Sequence, residues 1–215
     1  MYEEIVIVMW RRGGDTKEIG KDEDREFVLR CQKGDVEAFS TLVERHQKKM
    51  LNVAYRMTGD YEDACDCVQE AFLAAYRGIG KFRREARFSS WLYGIVVNHT
   101  RNRLRQVKSR RCHEGTIAGN STGGEASWGD SEATPPRESV ADQWERKELE
   151  ARVQACIGGL DEDFREVLVL KDIQDLSYEE IRDALHIPTG TVKSRLFRAR
   201  LALKDRLLKV LGDFR

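Results

Sequence analysis

From Asp35 onward the apolar positions Ala38, Phe39, Leu42, Val43, Leu51 and Ala54 recur at helical spacing, with charged residues between them. This pattern predicts an amphipathic helix that Asp35 can cap. His46 falls on the same stripe and reads as a core or boundary residue rather than a ligand. Thr58-Gly59-Asp60 breaks the pattern. A second helix is predicted from Tyr61 to Tyr76, with Ala64, Cys67, Val68 and Ala71 on one face and Asp63, Asp66, Gln69 and Glu70 gathered on the other. A basic loop with Lys81, Arg83, Arg84 and Arg87 then leads into a third helix, whose buried side is Phe88, Leu92, Ile95, Val96 and His99. Trp91, Asn98, Asn102 and Arg105 run along one edge of that helix, with Tyr93, Arg101 and Arg103 nearby and Lys108, Arg110 and Arg111 beyond.

Cys112 to about Asp142 is rich in Gly, Ser, Thr and Glu, contains Pro135-Pro136 and lacks apolar periodicity, so it reads as a flexible linker. As a random coil of roughly 30 residues it would average about 30 Å end to end. Helical periodicity returns near Trp144 with Leu149, Val153, Cys156 and Ile157, and stops at Gly158-Gly159. A further helix is expected from about Asp161 to Asp172, carrying Phe164, Val167, Leu168 and Lys171 on one side. Ser177 and Glu180 then form a capping-box signature that opens a short helix with Ile181, Ala184 and Leu185. Pro188 cannot continue it, and Thr189 can cap a last helix starting at Gly190. The fold class is therefore all-α: a loose N-terminal tail (1–24), a small helical domain (25–111), the linker (112–142), and a second helical domain (143–215) containing a helix-turn-helix.

In the last helix Val192, Leu196, Ala199 and Leu203 share a buried stripe. The opposite face carries Ser194, Phe197 and Arg198, with Lys193, Arg195 and Arg200 on its flanks. Cations, a hydroxyl and an exposed ring are the groups that contact phosphates, base edges and thymine methyls in a major groove. The third helix differs in kind. Its cations are interleaved with aromatics and amides, the combination that stacks on and tracks unpaired bases.

The 37 basic and 37 acidic residues of the 215 sum to zero, which would argue against a nucleic-acid binder if the charges were evenly spread. They are segregated instead, so a balanced sum conceals opposite surfaces. Five cysteines without framework spacing and without a signal peptide point to a reducing cytoplasm. Cys65 and Cys67 point in different directions from a helix, and Cys112-His113 lacks a second ligand pair, so no metal site or cofactor is implied. Ile5 to Trp10 is too short to span a bilayer. No phosphate-cradling glycine loop and no nucleophile beside a histidine supports an enzyme.

Taken together, these residues resemble a bacterial RNA polymerase sigma factor of the extracytoplasmic-function group, which retains only sigma regions two and four. The likeness covers about Gly34 to Arg111 and Leu149 to Leu208. Gly34-Asp35-Val36-Glu37-Ala38-Phe39 resembles the start of region two, Asp63 to Phe72 its polymerase-binding helix, and Phe88 to Arg105 its melting and minus-10 helix; Leu176 to Arg200 resembles region four. The resemblance implies that Asp63, Asp66, Gln69 and Glu70 dock the clamp coiled coil of the polymerase largest subunit. It also implies that Trp91, Asn98, Arg101, Asn102, Arg103 and Arg105 hold the unpaired minus-10 strand, and that Lys193, Ser194, Arg195, Phe197, Arg198 and Arg200 meet the minus-35 duplex. An anti-sigma protein is the further partner the family leads one to expect. The chain departs from the family pattern at Cys65 and Cys67 (usually acidic and leucine), Asn102 (aspartate), Asp161 (proline) and His186 (glycine). The competing reading is a helix-turn-helix regulator that binds duplex operators without polymerase, and it leaves the basic aromatic helix unexplained.

Overall fold

The computed structural model describes residues 23–113 and 140–212, and the regular structure among them is helical throughout. The first half comprises α1 (Arg25–Gln32), α2 (Val36–Thr58), α3 (Tyr61–Gly78) and α4 (Phe88–His113). The second comprises α5 (Val140–Gly158), α6 (Glu162–Leu168), α7 (Tyr178–Leu185) and α8 (Thr189–Gly212). The apolar run Ile5 to Trp10 and most of the expected linker lie outside the described residues.

Helix ends fall where the side chains can satisfy them. Asp35 accepts the Ala38 amide at 3.1 Å to start α2, and Asp60 accepts the Asp63 amide at 2.8 Å to start α3. Between them Gly59 closes α2 in the left-handed region at φ 76°, with its amide on the Tyr55 carbonyl at 2.8 Å. The expected capping box opens α7: the Glu180 amide donates to Ser177 Oγ at 3.1 Å and the Ser177 amide to Glu180 Oε2 at 2.8 Å. His186 ends α7 in the left-handed region at φ 54°, so a residue with a Cβ holds a turn that glycine adopts more readily.

Three elements differ from the sequence pattern. Helix α8 includes Thr189, because the Pro188 carbonyl takes the first helical bond from the Val192 amide at 3.1 Å and leaves Thr189 inside the first turn. Helix α5 begins at Val140, ahead of its first apolar anchor. The single helix expected from Asp161 to Asp172 is α-helical only to Leu168 and continues as a π turn over Val169–Ile173, with the Gln174 amide reaching the Val169 carbonyl at 3.1 Å. Val167 to Leu170 are all at 0% exposure. A segment enclosed on every side is shaped by its neighbours rather than by a one-sided apolar stripe.

Helices α2, α3 and α4 pack around Leu42, Met50, Met57, Phe88 and Leu92, all fully buried, each contributing roughly 1.5–3 kcal/mol of burial free energy. His46 is a core residue as expected: its Nε2 lies 2.8 Å from Asp24 Oδ2, and its ring lies 5.7 Å from that of Phe88. Asp24 itself is buried, although it falls within the stretch read as a loose tail. The second half gathers on Ile157, Leu168, Ile181 and Leu196.

The two cores are continuous. Helix α4 packs on α7, and α2 packs on α5 and on the π turn. The helical pattern assigned α4 one buried side, but the structure buries two. Val97 is fully buried and so is Tyr93, whose hydroxyl donates to Gln174 Oε1 at 3.3 Å and whose phenol burial pushes its pKa well up. Tyr93 therefore does not belong to the exposed basic surface with which it was grouped.

Candidate polymerase and nucleic-acid interfaces

The acidic face of α3 follows from its register. Asp66, Gln69 and Glu70 are exposed, while Ala64, Cys67, Val68 and Ala71 turn inward. Leu73 and Tyr76, at 49% and 44% exposure, extend the same face toward the helix C-terminus. The sequence pattern assigned them to neither face of the helix. A surface of carboxylates with two exposed apolar side chains suits a basic, partly apolar helical partner. Asp63 is held differently: Arg103 donates to its Oδ1 from Nε at 2.8 Å and from Nη2 at 2.5 Å. One residue expected at the polymerase and one expected at DNA thus neutralise each other.

Helix α4 presents Asn98, Asn102 and Arg105 to solvent along one edge. Trp91 heads the same edge, half-buried and stacked on Phe82 with ring centroids 4.9 Å apart and planes at 28°. Phe88 lies behind at 5.8 Å, so the indole is pinned by two rings and fixed in orientation. Arg101 points elsewhere. It makes a bidentate pair with Glu166 of α6, from Nε to Oε2 at 2.8 Å and from Nη2 to Oε1 at 2.5 Å. Glu166 is wholly buried; burial pushes its carboxyl up in pKa, and the Arg101 guanidinium opposes that shift.

On α8 the buried stripe is Val192, Leu196, Ala199 and Leu203, as the spacing predicted. Lys193, Ser194, Phe197 and Arg198 form the outer face, and Phe197 is 72% exposed. Lys193 Nζ also sits 5.4 Å from the centre of the Tyr178 ring, which ties the outer face of α8 to the first helix of the motif. Arg195 and Arg200 are not on that face. Arg195 pairs with Asp163 at 2.6 Å and approaches Glu166 at 3.6 Å, while Arg200 pairs with Asp172 at 3.0 and 2.5 Å. Both fasten α8 to α6 and to the π turn behind it. Sequence spacing put them on flanks, and the carboxylates that claim them come from elements whose placement only the tertiary fold defines.

The cysteines behave as small core groups. Cys67 is 3% exposed, and burial pushes its thiol up to about 11 with the Asp63 carboxylate adding to the shift; Cys65 is half-buried on another face. No helix among the described residues is long and apolar enough to cross a membrane.

Comparison with known proteins identifies the two helical halves. Residues 42–111 match sigma-70 region 2, and residues 150–203 match sigma-70 region 4. The RNA polymerase sigma-H factor of Pseudomonas aeruginosa is 38% identical over 193 residues, covering 90% of this chain and 98% of that protein. The extracytoplasmic-function sigma factor SigW of Bacillus subtilis is 36% identical over 185 residues, covering 85% and 96%. Among solved structures, CnrH in complex with the cytosolic domain of CnrY superposes with a TM-score of 0.62 at 28% identity, covering 86% of this chain and 96% of that one. The sigma factor RpoE of Bartonella quintana, in complex with the anti-sigma factor NepR, shares the fold at a TM-score of 0.60 and 20% identity, covering 80% and 98%. The chain therefore belongs to the sigma-70 family, as an RNA polymerase sigma factor of the extracytoplasmic-function group that directs transcription initiation.

Proposed function

We propose that this sigma factor performs no covalent chemistry and divides its work among three surfaces. The exposed face of α3, Asp66, Gln69 and Glu70 with Asp63 at its start, docks the clamp of the polymerase largest subunit. The edge of α4, Trp91, Asn98, Asn102 and Arg105 joined by Arg101 and Arg103, holds the unpaired minus-10 strand. The outer face of α8, Lys193, Ser194, Phe197 and Arg198, reads the minus-35 duplex, with Arg195 and Arg200 fixing that helix at its back. The observation that carries this reading is Phe197, a large ring left 72% exposed among cations on the second helix of a helix-turn-helix. A solvated basic helix gains nothing from such a ring, whereas a major groove offers it thymine methyls.

Binding to the unpaired strand shifts the duplex toward the open complex, because a ligand favours the state it binds more tightly. Contacts from lysine and arginine to phosphates make the DNA affinity strongly salt dependent, and a few side chains carry base discrimination. The protein works in the cytoplasm, where the polymerase is. An anti-sigma protein is the inhibitory partner, by analogy with the complex that RpoE forms with the anti-sigma factor NepR.

The test is a pair of substitutions read in two assays. Arg198→Ala impairs minus-35 recognition and leaves core polymerase affinity unchanged, while Glu70→Ala, at a side chain 69% exposed and 3.1 Å from His99 Nδ1, does the reverse. If both variants fail alike in both assays, the division of surfaces is wrong. Duplex binding by the free chain as a dimer, with no affinity for core polymerase, would replace it with the operator-binding reading.

A further inference from the structure

Helix α1 contributes no residue to the three surfaces, yet its last residue reaches across the first half. The Gln32 side chain donates from Nε2 to the Ile79 carbonyl at 3.0 Å and to the Phe82 carbonyl at 2.9 Å. These carbonyls bracket a short 3-10 turn, Ile79–Lys81, that follows α3 and opens the basic loop. The turn's own closing bond runs from the Phe82 amide to the same Ile79 carbonyl at 3.1 Å. One side-chain amide therefore holds both ends of the turn. A primary amide has two N–H groups, and both are used here, which sets its orientation: turned over, its oxygen would face two carbonyl oxygens.

The helix that carries Gln32 is firmly seated. Val28 is fully enclosed and Cys31 is buried on its inner side. At its end Arg30 pairs with Asp35 at 2.7 Å, and Asp35 in turn caps α2. The turn is anchored from below by Ile79, which is buried.

What the turn delivers is Phe82. Its ring stacks on Trp91 and meets Phe88 edge-on, with centroids 6.2 Å apart and planes at 81°. The rim of the indole rests against the end of α3, where a Cβ at Gly78 would stand 3.3 Å from Trp91 Cζ2 and 3.5 Å from Cη2. With rings in contact on this scale, a shift of the Phe82 backbone is passed to the indole at the head of the α4 edge. The Phe82 carbonyl also fixes the direction in which the chain leaves for Arg83 and Arg84, both exposed. Arg84 lies in the left-handed region at φ 61°, a conformation that its surroundings have to impose on a residue with a Cβ.

We propose that Gln32 is a positioning residue for strand capture: it ties α1 to the turn Ile79–Lys81 and so fixes the Phe82 ring on which Trp91 stacks, together with the start of the basic loop. Gln32 touches no DNA and acts through Phe82. The proposal rests on the reading of the α4 edge as the holder of the unpaired minus-10 strand. Its physical basis is preorganisation, since an aromatic platform that is already fixed loses less entropy when a base stacks on it. The two Gln32 bonds are part-buried, so water can replace either donor and their loss costs little stability. Water does not tie the two carbonyls to α1, so positioning is lost where stability is kept.

The experiment uses the full chain with Gln32→Met, which keeps the length and removes both donors, and with Gln32→Glu, which sets carboxylate oxygens against the two carbonyls. Both are made in a parent carrying Trp10→Phe, Trp128→Phe and Trp144→Phe, so that Trp91 is the one tryptophan left. Emission and acrylamide quenching of the free chain report the indole, circular dichroism reports helix content, and core polymerase affinity is measured separately. Opening of a promoter selected by the parent holoenzyme is followed by 2-aminopurine at an unpaired position. In both variants the Trp91 emission moves to the red and its quenching rises, while helix content and core polymerase affinity stay at the parent's values. Promoter opening falls by about tenfold, toward the lower end of what one base–aromatic stack is worth. The proposal is overturned if Trp91 emission matches the parent, if emission shifts while opening is unchanged, or if core affinity falls in step with opening, as general support of the fold requires. Should either variant lose helix content, hydrogen exchange of the wild type decides: both Gln32 Nε2 protons exchange more slowly than those of exposed Gln69, and equal rates refute the double bond. Trp91→Ala in the same promoter assay separates the two levels. If it leaves opening unchanged, the reading of the α4 edge fails and the strand-capture role with it, whereas failure of the Gln32 proposal alone leaves Trp91→Ala defective.

Discussion

Leu196 and Phe197 are sequence neighbours on α8, and their opposite environments make a matched pair of perturbations. Leu196 is 2% exposed against α6 and α7, so Leu196→Ala removes a buried side chain and leaves a cavity, at a cost of about 3 kcal/mol within the usual range of roughly 2–5. For a chain of this length that lowers Tm by about 6–12 °C. Phe197 is 72% exposed, so Phe197→Ala forfeits little packing, and the higher helix propensity of alanine returns about 0.5 kcal/mol. Its Tm stays within about 2 °C of the parent. The functional effect runs the other way. A phenylalanine side chain offers about 200 Å² of surface, of which about 140 Å² remains open here; covering half of that on DNA, at about 25 cal/mol per Å², gives about 1.8 kcal/mol, or roughly 20-fold in affinity. The assay is thermal melting of the free protein, paired with promoter binding by the holoenzyme on a promoter selected by that holoenzyme. A Phe197→Ala variant that melts 5 °C lower, or one that binds the promoter within about twofold of the parent, would show that the ring packs against the protein and does not read DNA.

Two further outcomes test the local physics. Ser177→Ala removes the hydroxyl that accepts the Glu180 amide and breaks the reciprocal cap of α7, so stability falls by about 1 kcal/mol in urea denaturation, whereas Ser177→Asp retains most of it. The Cys67 thiol, raised to about 11 against an ordinary 9.0, keeps its proton in the folded chain where the unfolded chain has lost it. The unfolded state thus binds fewer protons between about pH 9 and 11, and stability falls as pH rises through that window. A Cys67→Ala variant shows a shallower decline there, and iodoacetamide at pH 8 modifies half-buried Cys65 before Cys67; equal labelling rates in the native protein would contradict the burial argument.

Local periodicity and chain chemistry decide a definite part of this protein before any long-range contact forms. The caps at Asp35 and Ser177, the break at Thr58-Gly59-Asp60 and the buried stripe Val192–Leu196–Ala199–Leu203 are decided within a few residues of one another, and each can be read from spacing alone. The exposed face Lys193, Ser194, Phe197 and Arg198 was legible for the same reason, being the complement of a stripe already fixed. Tertiary structure alone decided which cations are free. Arg101, Arg103, Arg195 and Arg200 look like their exposed neighbours along the chain, yet each meets a carboxylate 28 to 65 residues away in sequence, in Glu166, Asp63, Asp163 and Asp172. Likewise Tyr93 and the π turn at Val169–Ile173 owe their burial to the packing of one half on the other, where Gly94 admits the backbone of α7. A periodic pattern reports that a helix has a buried side; it does not report that a second body will cover the other side, because that depends on two surfaces matching across a distance the local pattern does not encode.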